Sequence, residues 1–163
     1  MNKKLPIIII LVIGLLGLFY FYQKYKVAPT INFEGLSLSN LNNEPVQFDN
    51  IIGKKTIVCF SASWCPNCIN ELNALKKIHE NELNDIQIVV IDDEPLEQIE
   101  RFKNKREYPF LFLKLNDPFS DIGIYSIPVT YFFDKNGLLK KEVVGEINWD
   151  DLSTREHYKS IME

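Results

Sequence analysis

Residues 56–80 constrain this chain more than any other stretch. Thr56-Ile57-Val58-Cys59-Phe60 is apolar and largely β-branched, and Trp64-Cys65-Pro66-Asn67-Cys68 then leads into the helical-looking run Ile69 to Glu80. The order is strand, short loop, helix, with a Cys-x-x-Cys pair at the helix start. Two cysteines at this spacing can close a small disulfide ring. The first sits where unpaired N–H groups and the positive end of the helix dipole favour a thiolate, and the thiolate is the nucleophile. Pro66 suits the first turn, because its missing N–H would have had no intrahelical partner.

A Cys-x-x-Cys pair is also half of a zinc site. Zinc needs about two further ligands, and only Cys59, His79 and His157 remain, none in a second paired spacing. No metal and no cofactor are therefore expected, and redox chemistry is. Three cysteines also fit no simple framework of structural disulfides; Cys65 and Cys68 pair, and Cys59 is left over.

Together with the later run Ile127-Pro128-Val129-Thr130-Tyr131-Phe132-Phe133-Asp134-Lys135-Asn136-Gly137, the Trp64–Cys68 motif resembles the thioredoxin superfamily. Within it, the chain is most similar to the membrane-anchored TlpA/ResA-type thiol-disulfide oxidoreductases, from about Ala28 to the C-terminus. The resemblance implies a thioredoxin-like α/β fold: a central mixed sheet flanked by helices, with an N-terminal β-hairpin extension.

Leu5 to Tyr22 carries no charge and is dominated by Ile, Leu, Val, Phe and Gly. As a helix it would span about 27 Å, close to the hydrocarbon thickness of a bilayer. A cleaved signal peptide is the alternative, but the apolar run is long for one and no small-x-small cleavage site follows it. Residues 1–26 thus read as an uncleaved membrane anchor and 27–163 as one redox domain. The charge balance between Lys3 and Lys4 on one side and Lys24 and Lys26 on the other favours the N-terminus inside only weakly. It is the resemblance that implies a single-pass protein of the cytoplasmic membrane with its domain extracytoplasmic. Beyond Lys26 stand 14 basic and 22 acidic side chains, a formal charge of −8, which sets nucleic-acid binding aside.

Along the domain, Phe33–Leu38 alternates like a strand and Val46-Gln47-Phe48 is its candidate hairpin partner. Strands are expected at Thr56–Ser61, Asp85–Ile91, Tyr108–Leu113, Val129–Phe133 and Leu138–Val144, and helices at Leu96–Lys105 and Asp151–Met162, the last capped by Asn148 or Asp150. In the first helix Ile69, Leu72, Leu75 and Ile78 share an apolar face, with Glu71, Lys76, Lys77 and Glu80 facing solvent. Asp92-Asp93-Glu94-Pro95 reads as a solvated turn, and His79 and His157 need no catalytic role.

Cys65 is the expected nucleophile and Cys68 the thiol that resolves the mixed disulfide. The remaining roles are implied by the resemblance. Pro128 becomes a cis-proline facing the cysteine pair; Trp64, Pro66, Asn67 and Ile127 join it in holding the partner chain; Glu71, one turn after Cys68, becomes a proton-handling carboxylate. Cys59 stands where thioredoxin has a buried acid, a departure that leaves Glu71 or water to accept protons. The expected activity is reduction of disulfides in envelope proteins, with a membrane thiol as electron donor and the protein a monomer. The alternatives are a disulfide-forming oxidase on the same scaffold, or a redox-inactive binding module whose cysteines brace the helix.

Overall fold

The computed structural model describes residues 5–51 and 53–163. Lys3 and Lys4, on which the weak inside-positive bias rests, lie outside the described residues, as does Ile52. Helix α1 (Leu5–Lys26) is one uninterrupted span, and its window Ile8–Tyr25 is long and apolar enough to cross a membrane, with none of its residues buried and only its C-terminal end touching the domain.

Seven strands form one mixed sheet: β1 (Leu38–Ser39), β2 (Pro45–Val46), β3 (Thr56–Phe60), β4 (Gln87–Asp92), β5 (Leu111–Leu115), β6 (Val129–Phe133) and β7 (Leu139–Val144). Their order across the sheet is β2-β1-β5-β4-β3-β6-β7. β3, β4 and β5 run parallel, and β6, β7 and the small β1–β2 hairpin are antiparallel additions. The parallel connections require crossovers, supplied by α2 (Pro66–Glu82) and α3 (Leu96–Arg106). This is the mixed sheet with flanking helices that the resemblance implied.

The central strands are buried on both faces, so their side chains split by the period of two between two cores. Ile57, Cys59, Ile88, Val90, Phe112 and Phe132 pack under α2 and α3; Val58, Phe60, Val89, Ile91, Val129 and Tyr131 face the opposite way, beneath the N-terminal segment. Helix α4 (Leu152–Ile161) closes the first core, where Tyr158 stacks on Phe132 with ring centroids 4.4 Å apart beside the fully buried Trp149.

Four expectations need correction. Phe33–Leu38 is not a strand: Phe33–Gly35 is a 3-10 turn, and the hairpin is reduced to two residues per strand. Phe33 gains more as an apolar plug against Phe48, Tyr131 and Phe133 than as a ladder residue. The last helix is capped by Asp151, whose carboxylate accepts the Ser153 and Thr154 N–H groups, rather than by Asn148 or Asp150. Glu71 is buried, and the acidic turn after β4 is built into the protein rather than solvated; both bear on the site below. The Asp134–Gly137 turn is as expected, with Asp134 accepting the Asn136 and Leu138 N–H groups and Gly137 at φ +77°.

Candidate active site

β3 ends in the middle of the sheet and delivers the chain, through Ser61-Ala62-Ser63-Trp64, to the N-terminus of α2. Cys65 is the N-cap of α2, Pro66 its first residue, and Cys68 lies within the first turn, disulfide-bonded to Cys65. The Cys68 N–H donates to Cys65 Sγ at 3.2 Å, so an otherwise orphaned helix N–H points at the sulfur where negative charge would form. Cys65 retains a sliver of exposure at 5%, whereas Cys68 at 1% is sealed beneath it. Only the first cysteine can meet an incoming disulfide without rearrangement.

The Ile127–Pro128 peptide bond is cis, and the Ile127 carbonyl oxygen lies 3.8 Å from Cys65 Sγ. With the sulfur in a disulfide it has no proton to donate, so this is a contact rather than a hydrogen bond. Beside Cys65 opens a groove of about 680 Å³, walled by Trp64, Pro66 and Asn67 on one side and Phe119, Tyr125 and Ile127 on the other. Trp64 is 68% exposed and Tyr125 48%, so two aromatic faces look into solvent at the groove mouth. The structure thus brings Cys65, Trp64, Pro66, Asn67 and Ile127 to one surface, with Pro128 buried just behind.

Glu71 takes the opposite direction, into the protein. Its position follows from Cys68, Glu71, Leu75 and Ile78, a three-four-three spacing that makes one helical stripe, all of it buried. Thr130 Oγ1 on β6 donates to Glu71 Oε1 at 2.8 Å, and the Ile147 N–H donates to Oε2 at 3.2 Å. Burial dominates nonetheless and raises the carboxyl pKa from 4.5 to about 7, against the pull of these two donors and of the nearby Trp149 indole. The indole N–H itself has no hydrogen-bond partner among the described residues.

Cys59 pairs across the sheet with Thr130, whose hydroxyl is 3.8 Å from Cys59 Sγ. That hydroxyl has one proton and gives it to the nearer Glu71, leaving its oxygen to accept from the Cys59 thiol. Burial pushes the Cys59 thiol well above its ordinary pKa, with the Glu71 charge adding to the effect. Cys59 is a free thiol sealed in the core, and the buried carboxylate that shares Thr130 with it, Glu71, comes from α2.

The turn after β4 went unrecognised in the sequence as part of the site. Glu94 accepts the Ser63 N–H at 2.6 Å and the Ser63 hydroxyl at 3.0 Å, while Asp93 accepts the Phe119 N–H at 2.9 Å. Adjacent carboxylates thus brace both walls of the groove. Lys114 Nζ ties down the same turn through the Asp93 and Glu94 carbonyls. Asp92 is fully buried; its Oδ1 accepts the Glu94 N–H at 2.8 Å, and its Oδ2 has no partner among the described residues. Burial raises its pKa from 3.8 to about 7, opposed by that N–H and assisted by the charges of Glu94 and Asp93. The run Asp-Asp-Glu-Pro was visible, but only its place beside the β3 loop shows what it holds.

Residues 26–142 match the sequence model of the AhpC/TSA family. The thiol-disulfide oxidoreductase ResA of Geobacillus thermodenitrificans is 26% identical over 147 residues, covering 87% of this chain and 83% of the relative. Sporulation thiol-disulfide oxidoreductase A of Bacillus subtilis is 23% identical over 163 residues, covering 93% and 96%. The crystal structure of a thiol-disulfide isomerase from Corynebacterium glutamicum superposes with a TM-score of 0.64 at 15% identity, over 82% of this chain and 97% of that one.

Proposed function

The chain belongs to the AhpC/TSA family, and from that premise we propose that it is a membrane-tethered reductase of disulfides in envelope proteins, a monomer held by α1 with residues 27–163 outside the cytoplasmic membrane. It is a thiol-disulfide oxidoreductase, and protein thiols are its substrates. The observation that carries the reading is the placement of Cys65: N-cap of α2, its sulfur facing the Cys68 N–H, at the edge of an open apolar groove.

In the reduced chain, the Cys65 thiolate attacks one sulfur of a client disulfide. A Cys65–client bond forms, and the client's other sulfur leaves as a thiolate. Cys68, once deprotonated, attacks Cys65 Sγ; the mixed disulfide breaks, the second client thiolate departs, and Cys65–Cys68 closes. Two electrons pass to the client, and a membrane thiol donor restores the dithiol. The step that needs help is the deprotonation of Cys68, which is sealed from solvent. Glu71, one turn further along the buried stripe and titrating near 7, is the group suited to take that proton and release it later. Ile127, Trp64, Pro66 and Asn67 form the surface against which the client segment lies, with cis Pro128 setting the turn behind it.

The full chain carrying Cys68→Ser tests this order of events. Mixed with a peptide disulfide, it should accumulate a covalent adduct at Cys65, detectable by non-reducing mass measurement, while Cys65→Ser should form none. Adducts on Cys68 in the Cys65→Ser protein would reverse the assigned roles.

A further inference from the structure

The membrane helix and the redox groove meet at one residue, Tyr125. In the last turn of α1, the Tyr25 ring meets Tyr125 edge to face at 6.4 Å, and Lys24 Nζ sits over the same Tyr125 ring at 4.2 Å from its centroid. Tyr125 is also a wall of the groove beside Cys65. The contact is secured by the tether that follows. Pro29 accepts the hydroxyl of Tyr131, a core residue of β6, at 2.7 Å, and its ring packs over Gly123, where an added Cβ would lie 3.3 Å from Pro29 Cβ. Ala28 and Ile31 continue into the core beneath the sheet. The chain therefore leaves the membrane helix and is fastened to the domain within a few residues.

The position of the helix end in a bilayer is fixed by its aromatic cluster. Phe19, Tyr20, Phe21, Tyr22 and Tyr25 crowd the C-terminal end of α1, the composition that settles at the headgroup level. A groove wall in contact with Tyr25 is consequently close to that level too. The exposed Trp64 and Tyr125 rings suit such a boundary, each having an apolar body and a polar tip. Lipid is not the natural occupant, because the residues beyond Lys26 carry a formal charge of −8 and are repelled by anionic headgroups.

We propose that the clasp between the end of α1 and the 123–131 segment holds the redox groove at the bilayer surface, and that its partner is a disulfide within a few residues of a membrane-spanning segment of another protein. This rests on the reductase reading and adds to it the location of the target. The fastened tether raises the encounter rate for disulfides near the membrane, whereas a loose one would sweep a larger volume and dilute the groove among targets at all heights.

The test uses the full chain, reduced, in neutral phosphatidylcholine vesicles. Three substrates carry the same disulfide-closed peptide loop: free in solution, three residues from a membrane-spanning peptide (a reach of about 10 Å), and twenty residues from it (about 70 Å). Each reduced chain opens one loop, so single-turnover rates are read directly. The comparison variant carries ten Gly/Ser residues inserted between Val27 and Ala28, which keeps the anchor and releases the clasp. The insertion should leave the free-loop rate within twofold and lower the short-spacer rate by about fivefold or more, with little change for the long spacer. An unchanged short-spacer rate, with the free-loop rate intact, would overturn the proposal. A wild-type chain that reduces not even the free loop would overturn the reductase reading, and the proposal with it.

Discussion

Glu71→Gln is the substitution whose consequence follows most directly from the structure. Burial keeps the folded carboxyl protonated to about pH 7, whereas the unfolded chain releases the proton near 4.5. Between those values the native state binds a proton that the unfolded state has lost, so the stability due to Glu71 is full below pH 4.5, falls as pH rises, and is gone above about 7. The gap corresponds to a loss on the order of 3 kcal/mol. Gln cannot ionise, so the variant lacks this slope. Its amide offers one acceptor where the carboxylate offered two, to Thr130 and Ile147, and the mismatch imposes an offset of up to about 1–3 kcal/mol that does not vary with pH. Asp92 titrates in the same range with the same sign, but both proteins contain it, and it cancels in their difference. The assay is urea unfolding of the oxidised full chain in mild detergent, followed by the fluorescence of buried Trp149 at pH 5 and pH 8. Relative to Glu71→Gln, the wild-type midpoint should fall by about 1–2 M between the two pH values. Parallel behaviour of the two proteins would refute the buried, proton-holding state of Glu71.

Glu94→Ala removes the carboxylate that fixes both Ser63 N–H and Ser63 Oγ, and should cost about 1.5–3 kcal/mol in urea unfolding; a change under about 0.5 kcal/mol would mean that the brace is not formed in solution. In the reduced native protein, a small alkylating reagent should label Cys65 first and leave Cys59 untouched until urea unfolds the chain, as its burial and raised pKa require. Rapid labelling of native Cys59 would contradict that account.

Much of this architecture was legible because strong local signals agreed with one another. The β-branched run at Thr56–Phe60, the cysteine spacing and the Pro66 start placed the catalytic turn, and Asp134–Gly137 announced its hairpin. Where the sequence misled, a long-range contact had overridden a local rule. The alternation at Phe33–Leu38 mimics a strand, yet Phe33 is set by four aromatic rings outside its own segment, Phe48, Phe60, Tyr131 and Phe133. Counting Ile69, Leu72, Leu75 and Ile78 by threes put Glu71 on the solvent side; it lies instead in the stripe through Cys68, Glu71, Leu75 and Ile78, where Thr130 and Ile147, 59 and 76 residues away in the chain, supply its hydrogen bonds. The acidic turn carried no sign of its bracing role, since its partners Ser63 and Phe119 are 31 and 26 residues away in the chain.

The reduction potential of the Cys65–Cys68 couple tests the central claim most directly. It is measured on the full chain in detergent, with Cys59→Ala to leave one dithiol, by equilibration against thiol buffers of known potential. The reductase account predicts a value near that of thioredoxin, roughly −270 mV. A value near roughly −120 mV, at the strongly oxidising end, would make the protein a disulfide donor and contradict the direction of electron flow assigned here.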